Sequence, residues 1–319
     1  MKCKILILFI LGLIPLNLTG SGSGILLLDS FNAEITGRGG VSTGWINSIN
    51  TCSANPASAG FIGPFEMEIT YFKYILDMNL TSLSIGTKLD FIGISAGFKM
   101  LNSGEFTLFD IKGNKADNIS ARDYLLNISA GMNLASLFSL SEILNNLYAG
   151  LSIKYLYSSL YLNTGRAIVF DTGIFYNIKI PSIVEKGKTT EPNLGAGMVL
   201  KNIGTSPEYV NEKSSLPQMI KTGIKYTGIN YFPVLVSLGF DFLFIKDRDT
   251  EIRTGFEIQI YRILILRAGY AISKDILPQI YSGIGIIYRE SGIDFNINYA
   301  LTSISDFGLT HNFSITIKM

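Results

Sequence analysis

The sequence predicts an all-β protein, a transmembrane antiparallel β-barrel, from three observations. The chain is apolar without a membrane-spanning helix, it alternates with a period of two, and most of its strand charges keep to the polar parity. Of 319 residues, 47% are hydrophobic and 16% charged, with a mean hydropathy of +0.33. Soluble domains carry about 25% charged residues, so this chain is poor in the groups that keep a surface wet. A membrane helix needs about 20 consecutive apolar residues. The one long apolar run is Ile5 to Leu18; elsewhere glycine or a polar residue interrupts within a few positions. A closed barrel is the remaining way to pair every backbone polar group in lipid.

Taken in order, the start reads as a secretory signal: Lys2 and Lys4, the apolar stretch Ile5 to Leu18, then small residues from Thr19 to Gly24. Residues 1–22 are expected to be cleaved, for export to a bacterial outer membrane. A retained anchor is the alternative, and Pro15 and the shortness of the stretch count against it. Cleavage leaves Cys52 as the one thiol, which excludes an intrachain disulfide framework and a cysteine metal cluster. A formal net charge of +1 gives no field to steer nucleic acid, so no such partner is expected.

From residue 66 onward the alternation begins. Leu83, Ile85, Leu89 and Phe91 oppose Ser84, Gly86, Lys88 and Asp90, and Ile252, Phe256, Ile258 and Ile260 oppose Glu251, Arg253, Glu257 and Gln259. The last segment sets Phe313, Ile315 and Ile317 against Asn312, Ser314, Thr316 and Lys318. About 14 such segments are expected, at 66–76, 79–90, 91–102, 119–134, 147–160, 166–180, 193–204, 218–229, 233–245, 250–261, 262–272, 279–289, 291–301 and 311–319. An even count suits a bacterial barrel. Lys99, Lys154, Asp171, Lys201, Lys221, Asp241, Arg253, Glu257, Arg267 and Asp294 all fall on the polar parity. On the lipid face near the midplane, Arg or Lys would cost about 2–4 kcal/mol. Lys73 sits on the apolar parity of the first segment, which suggests a bulge or an interfacial end. Longer connections are expected at 103–118, 135–146, 181–192 and 205–217, with a short rim helix over 136–146 from the spacing of Leu137, Leu140 and Leu144.

Several short elements, in order, resemble the PorV/PorQ family of the FadL-like group of outer-membrane barrels. They are Gly37-Arg38-Gly39-Gly40-Val41, Asn55-Pro56-Ala57-Ser58-Ala59-Gly60, Leu151 to Ser159, Phe170-Asp171-Thr172-Gly173, Lys201-Asn202-Ile203-Gly204, Leu216-Pro217, Leu266 to Tyr270 and Leu309 to Ser314. Two departures stand out: Trp45 lies ten residues before Asn55, and the chain ends on Met319 rather than an aromatic residue. The resemblance implies about 14 strands, with residues 23–65 folded into the lumen as a hatch and residues 66–319 forming the barrel. The composition of 25–65, small and rich in Gly and Asn, suits such a plug. In it, Asn55-Pro56-Ala57 is the candidate hatch motif. Pro56 fixes its own φ and biases Asn55 away from the helical region, so a rigid turn without secondary structure is expected.

No catalytic set is visible, and no enzyme activity, cofactor or metal is expected. His311 is the single histidine, with no oriented partner nearby in sequence. Gly37 to Gly40 lacks the Lys-Ser/Thr ending of a phosphate loop. Asp110 to Asp117 could offer oxygens to calcium, but a solvated loop is the simpler reading. Asp241, Arg253, Glu257 and Arg267 come from three successive segments and face the lumen, either as a salt-bridge ladder or as a polar constriction. Three functions remain open: a channel or binding barrel for hydrophobic or amphipathic small molecules, a surface platform for secreted proteins, and a structural porin. The expected partners are outer-membrane lipid and either a small hydrophobic ligand or a secreted protein.

Overall fold

Alternating segments joined by short turns pair with their neighbours in sequence, and here the last also pairs with the first. The computed structural model describes residues 24–28, 31–74, 78–109, 112–136, 144–160, 163–180, 192–209, 212–231, 233–274, 278–304 and 308–319. Its strands are β1 (Glu66–Lys73), β2 (Asn79–Leu89), β3 (Ile92–Phe109), β4 (Lys115–Asn133), β5 (Leu147–Leu160), β6 (Asn163–Lys179), β7 (Asn193–Gly204), β8 (Glu208–Tyr209), β9 (Glu212–Lys213), β10 (Met219–Tyr231), β11 (Val234–Ile245), β12 (Glu251–Ile260), β13 (Leu264–Ile272), β14 (Gln279–Glu290), β15 (Ile293–Ser303) and β16 (Leu309–Lys318). All except β8 and β9 form one closed antiparallel barrel of 14 strands. The wall closes between β1 and β16, from Glu66↔Lys318 to Lys73↔His311. Glu66 and Lys318 therefore share one rim, the lower one. The short turns Asp90-Phe91 and Ser291-Gly292 lie there, as do the longer connections β4–β5 and β6–β7. Ser291 and Gly292 both have positive φ (51° and 83°), the geometry that lets a two-residue turn follow the twist of its strands.

The two faces divide as the alternation requires. In β16, Phe313 and Ile315 are exposed (52% and 48%), while Thr310, Asn312, Ser314 and Thr316 are buried. Ile69, Ile85, Ile224, Leu238, Leu266, Ile284 and Ile297 continue the exposed apolar belt around the wall. Tyr261 and Tyr288 at the lower rim, and Tyr71 and Phe313 near the upper one, are placed as an aromatic girdle would be. Lys73 is the last residue of β1 and pairs with His311 near the upper rim, so it is an interfacial end and no bulge is needed.

Two connections differ from expectation. Residues 103–118 are largely strand: beyond a register shift between Asn102 and Glu105, β3 and β4 continue as a ribbon to Phe109↔Lys115. Gly104, with φ of 82°, bends the strand instead of ending it. The connection at 205–217 contains the hairpin of β8 and β9. Of the rim helix expected over 136–146, only the ends are described, in the 3-10 turns Leu134–Ser136 and Leu144–Asn146; its centre lies outside the described residues. So do the signal peptide expected at 1–22, residues 181–191 and Asp110.

These assignments predict opposite outcomes for two arginines on β12. Phe256 faces lipid halfway along its strand, whereas Gln259 lines a lumenal cavity. Phe256→Arg should weaken folding into bilayers by about 2–4 kcal/mol and Gln259→Arg should be nearly silent, as read from urea titrations in vesicles. Equal effects would contradict the parity.

Candidate functional site

The chain before β1 runs down the inside of the barrel and meets its wall in three zones. At the top, the helical turn Ile25–Leu28 inserts Leu26 and Leu27 among Leu80, Leu101, Leu125, Leu156, Val169 and Leu216. Here the inward positions of β2 to β6 are apolar, unlike those lower down. Asn202, at φ of 64° in a bulge of β7, turns its amide inward and donates to the carbonyls of Leu27 (3.0 Å) and Pro217 (2.8 Å).

Midway lies the helix Ala33–Gly37, capped by Asn32, whose Oδ1 accepts from the Glu34 and Ile35 amides. Arg38 follows, with no exposed surface. It pairs with Glu34 at 2.9 Å, donates to the carbonyls of Val41 and Trp45, and stacks on the Trp45 ring at 4.6 Å. Burial alone would raise the Glu34 carboxyl; Arg38, Arg267, Lys318 and the Asn47 amide overcome it and hold the group at about 2. Gly39 and Gly40 turn the chain with positive φ. Asp241 on β11 then fastens it, accepting from the Ser42 amide (2.9 Å), the Thr43 amide (3.0 Å) and the Thr43 hydroxyl (2.7 Å), with Lys221 at 3.9 Å.

At the bottom, Asn55, Pro56 and Ala57 are all buried against β5 and β6. Asn55 donates to the carbonyls of Thr43 (3.0 Å) and Ile174 (3.3 Å) and accepts from the Ala57 amide. The motif opens a 3-10 turn, Pro56–Phe61, rather than a turn without secondary structure. Proline's fixed φ suits the first helical position, where its missing N–H is no loss. Lys201 reaches the same region and donates to the Ser53 carbonyl.

The sequence reading missed what lets this backbone sit so close to the wall. Gly93, Gly131, Gly150 and Gly173 are cross-strand partners in successive strands β3 to β6. A Cβ on Gly131 would lie 2.8 Å from the Pro56 carbonyl oxygen, and one on Gly150 would overlap Pro56 itself. On the other side, the row Gly239, Gly255 and Gly269 receives Arg38 to Val41 in the same way. Glycine at lumenal parity in consecutive strands was the available signal. Glycine weakens a strand unless another backbone must approach.

All four charges singled out in the sequence face the lumen, in two register pairs, Asp241↔Arg253 and Glu257↔Arg267. Arg267 bonds Glu257 at 2.7 Å and Asn298 at 2.8 Å, while Arg253 bonds Glu251 at 2.6 Å. Arg253 borders an upper cavity of about 100 Å³ with Phe31, Phe72, Tyr74, Tyr281 and Thr310. Glu257 and Arg267 border a lower cavity of about 310 Å³ with Trp45, Lys225 and Lys318. His311 lies apart, on the outer face, its Nδ1 2.7 Å from the Tyr299 hydroxyl. Cys52 is buried within the N-terminal segment, and burial pushes its thiol up to about 12.

The same architecture occurs in solved outer-membrane channels. The TodX deltaS2S3 mutant monoaromatic hydrocarbon channel matches with a TM-score of 0.54 and 12% identity, covering 91% of this chain and 98% of that one. The toluene transporter TbuX of Ralstonia pickettii gives 0.54 and 11%, covering 94% and 98%. A FadL homologue of Pseudomonas aeruginosa gives 0.51 and 9%, covering 91% and 98%. No protein-family model and no curated sequence matches. The fold is thus that of FadL-type bacterial outer-membrane channels; the narrower PorV/PorQ resemblance has no counterpart among these matches.

Two predictions follow from the seating. Gly150→Val should leave the heat-modifiable barrel intact but raise cleavage of residues 31–65 by added protease about tenfold or more, equivalent to ~1.4 kcal/mol of lost seating. Unchanged cleavage would contradict the glycine seat. Glu34 titrates below its usual 4.5, so the stability it contributes is complete above that pH and is lost as pH falls towards about 2. Emission from Trp45, the single tryptophan, should report this acid transition, and Glu34→Gln should abolish it.

Proposed function

We propose that this barrel is an outer-membrane channel for hydrophobic or amphipathic small molecules, exported by cleavage of residues 1–22, with residues 23–65 as its hatch. The observation that carries this reading is the apolar chamber in the upper lumen, filled by the chain's own Leu26 and Leu27, which are 2% and 1% exposed. A purely structural barrel has no use for an apolar lining inside a polar lumen. A small hydrophobic molecule would bind there by displacing the two leucines, exchanging one apolar occupant for another at little net cost in buried area. The structural neighbours, channels for monoaromatic hydrocarbons and a toluene transporter, support the same chemistry.

In this reading Asn55, Pro56 and Ala57 fasten the lower end of the hatch, and Asp241 its middle. Arg253, Glu257 and Arg267 form a polar constriction beside it. The competing reading, a platform for secreted proteins as the PorV resemblance implies, calls for an apolar patch on the outer loops. The described residues of two upper connections, Lys246 to Thr250 and Thr205 to Tyr209, are mainly polar, which favours the channel.

Toluene binding to the purified protein, by calorimetry, tests the proposal. Leu27→Ala removes a fully buried side chain that contributes about 2–5 kcal/mol to hatch packing, so toluene should bind at least about tenfold more tightly. Affinity equal to that of the parent would show that the chamber is not the ligand site.

A further inference from the structure

Directly above the apolar chamber, one inward rung of the wall carries a carboxylate. Leu101, Asp123, Ser158 and Gly165 are cross-strand partners in successive strands β3 to β6. In the inward rung beneath, Leu125, Leu156 and Ala167 are apolar and buried. The Ser158 hydroxyl donates to Asp123 Oδ1. Gly165 leaves room for the ring of Tyr209 on β8, since a Cβ there would lie 2.5 Å from it. Asp123, Ser158, Tyr209, Leu156 and Gly24 border one cavity of about 330 Å³. No basic side chain borders that cavity, so among the described residues Asp123 faces it without a counter-ion. A carboxylate has about four lone-pair sites, and one hydroxyl leaves most of them to spare.

Gly24 is held at the same place. Its carbonyl accepts from the Leu27 amide at 3.0 Å, and a Cβ on it would touch Leu156. Hydrolysis of the Gly22–Ser23 bond, the cleavage expected from the sequence, leaves a carboxylate on Gly22 and an α-ammonium on Ser23. One residue spans about 3.8 Å, so the new charge arises within a residue's reach of the cavity that Asp123 lines. An ammonium group is the chemistry this cavity fits. Its N–H groups can donate to the free Asp123 oxygen and to the Ser158 oxygen, and the Tyr209 ring offers its face to the charge.

We propose that Asp123 is the docking site of the mature chain's own α-ammonium, so that removal of the signal segment fastens residues 23–28 over the apolar chamber. This rests on cleavage after Gly22, part of the reading above. An uncleaved chain has a neutral peptide amide at Ser23 and no charge to offer Asp123. A ligand that displaces Leu26 and Leu27 then has to lift a fastened end rather than a free one.

The test uses mature protein from outer membranes of cells expressing the whole gene. Amine acetylation at neutral pH is followed by mass spectrometry of the N-terminal peptide, with the exposed Lys88 as internal reference. An α-amine ordinarily titrates near about 7.7–8, and an adjacent carboxylate raises that value. Acetylation requires the neutral amine, so the parent should react at least about tenfold more slowly than Asp123→Asn. The midpoint of the rate-against-pH curve should fall by about one unit or more in that variant. Steric shielding alone would not move it. A second variant keeps Asp123 and inserts Gly-Ser-Gly before Ser23, carrying the ammonium up to about 10 Å away. It should also react at least about tenfold faster than the parent. Heat-modifiable migration confirms that each variant is folded. Equal rates and midpoints in parent and Asp123→Asn overturn the docking. So does a freely reacting Ser23 amine together with Asp123-dependent binding of butylamine, which would assign the cavity to an external amine. A first residue other than Ser23 in the mass spectrum overturns the cleavage reading as well, whereas a reactive amine on Ser23 overturns the docking alone.

Discussion

The rest of this structure depends on one geometric constraint: a barrel of 14 strands is too wide for its own side chains to fill. About eight strands give an interior that side chains can close, and 16 to 18 leave an aqueous channel. A barrel between these limits must be filled by a length of chain. That chain must bring its backbone against the wall, and every polar group it buries must find a partner there. Both demands are met by the wall. Glycine rows on β3 to β6 and β11 to β13 give the plug room to approach, and Asp241, Asn202 and Lys201 supply partners. The small, Asn-rich character of the N-terminal segment is the complement of that wall.

Function enters through the unevenness of the fit. The N-terminal segment is apolar where it enters the upper lumen and polar below, where Asp241 and Ile174 on one side and Asn312, Thr316 and Lys318 on the other join it to the wall. In the channel reading, the apolar top is the part that a ligand would replace. The Glu34–Arg38 pair lies below it, and its partners Trp45, Asn47 and Asn50 tie the helix to the segment that follows.

Much of the wall was legible because period-two alternation and charge parity are local properties. The strands that end in tight turns, such as β14 and β15 around Ser291-Gly292, fall within a few residues of expectation. The ribbon of β3 and β4 was not legible: Asn102-Ser103-Gly104 has the composition of a turn, and only pairing with β4 shows that it is a bulge within one continuing strand. The two-residue strands β8 and β9 are too short to carry a pattern. Lumenal parity of Asp241, Arg253, Glu257 and Arg267 could be read, but their partners could not. Asp241 binds residues nearly 200 positions away, whereas Arg253 bonds Glu251, two residues back on the same face. That second pairing was within reach of the alternation itself. The glycine seat was visible as letters and invisible as a site, because nothing in one strand says that another backbone lies above it.

The central claim is that residues 42–61 are seated in the wall as firmly as the strands that hold them. Amide hydrogen exchange on the barrel in vesicles tests this most directly, since protection reports the free energy of opening at each site. The Ser42 and Thr43 amides, bonded to Asp241, should exchange as slowly as those of β11 and β12. Rapid exchange throughout 42–61 would contradict the account.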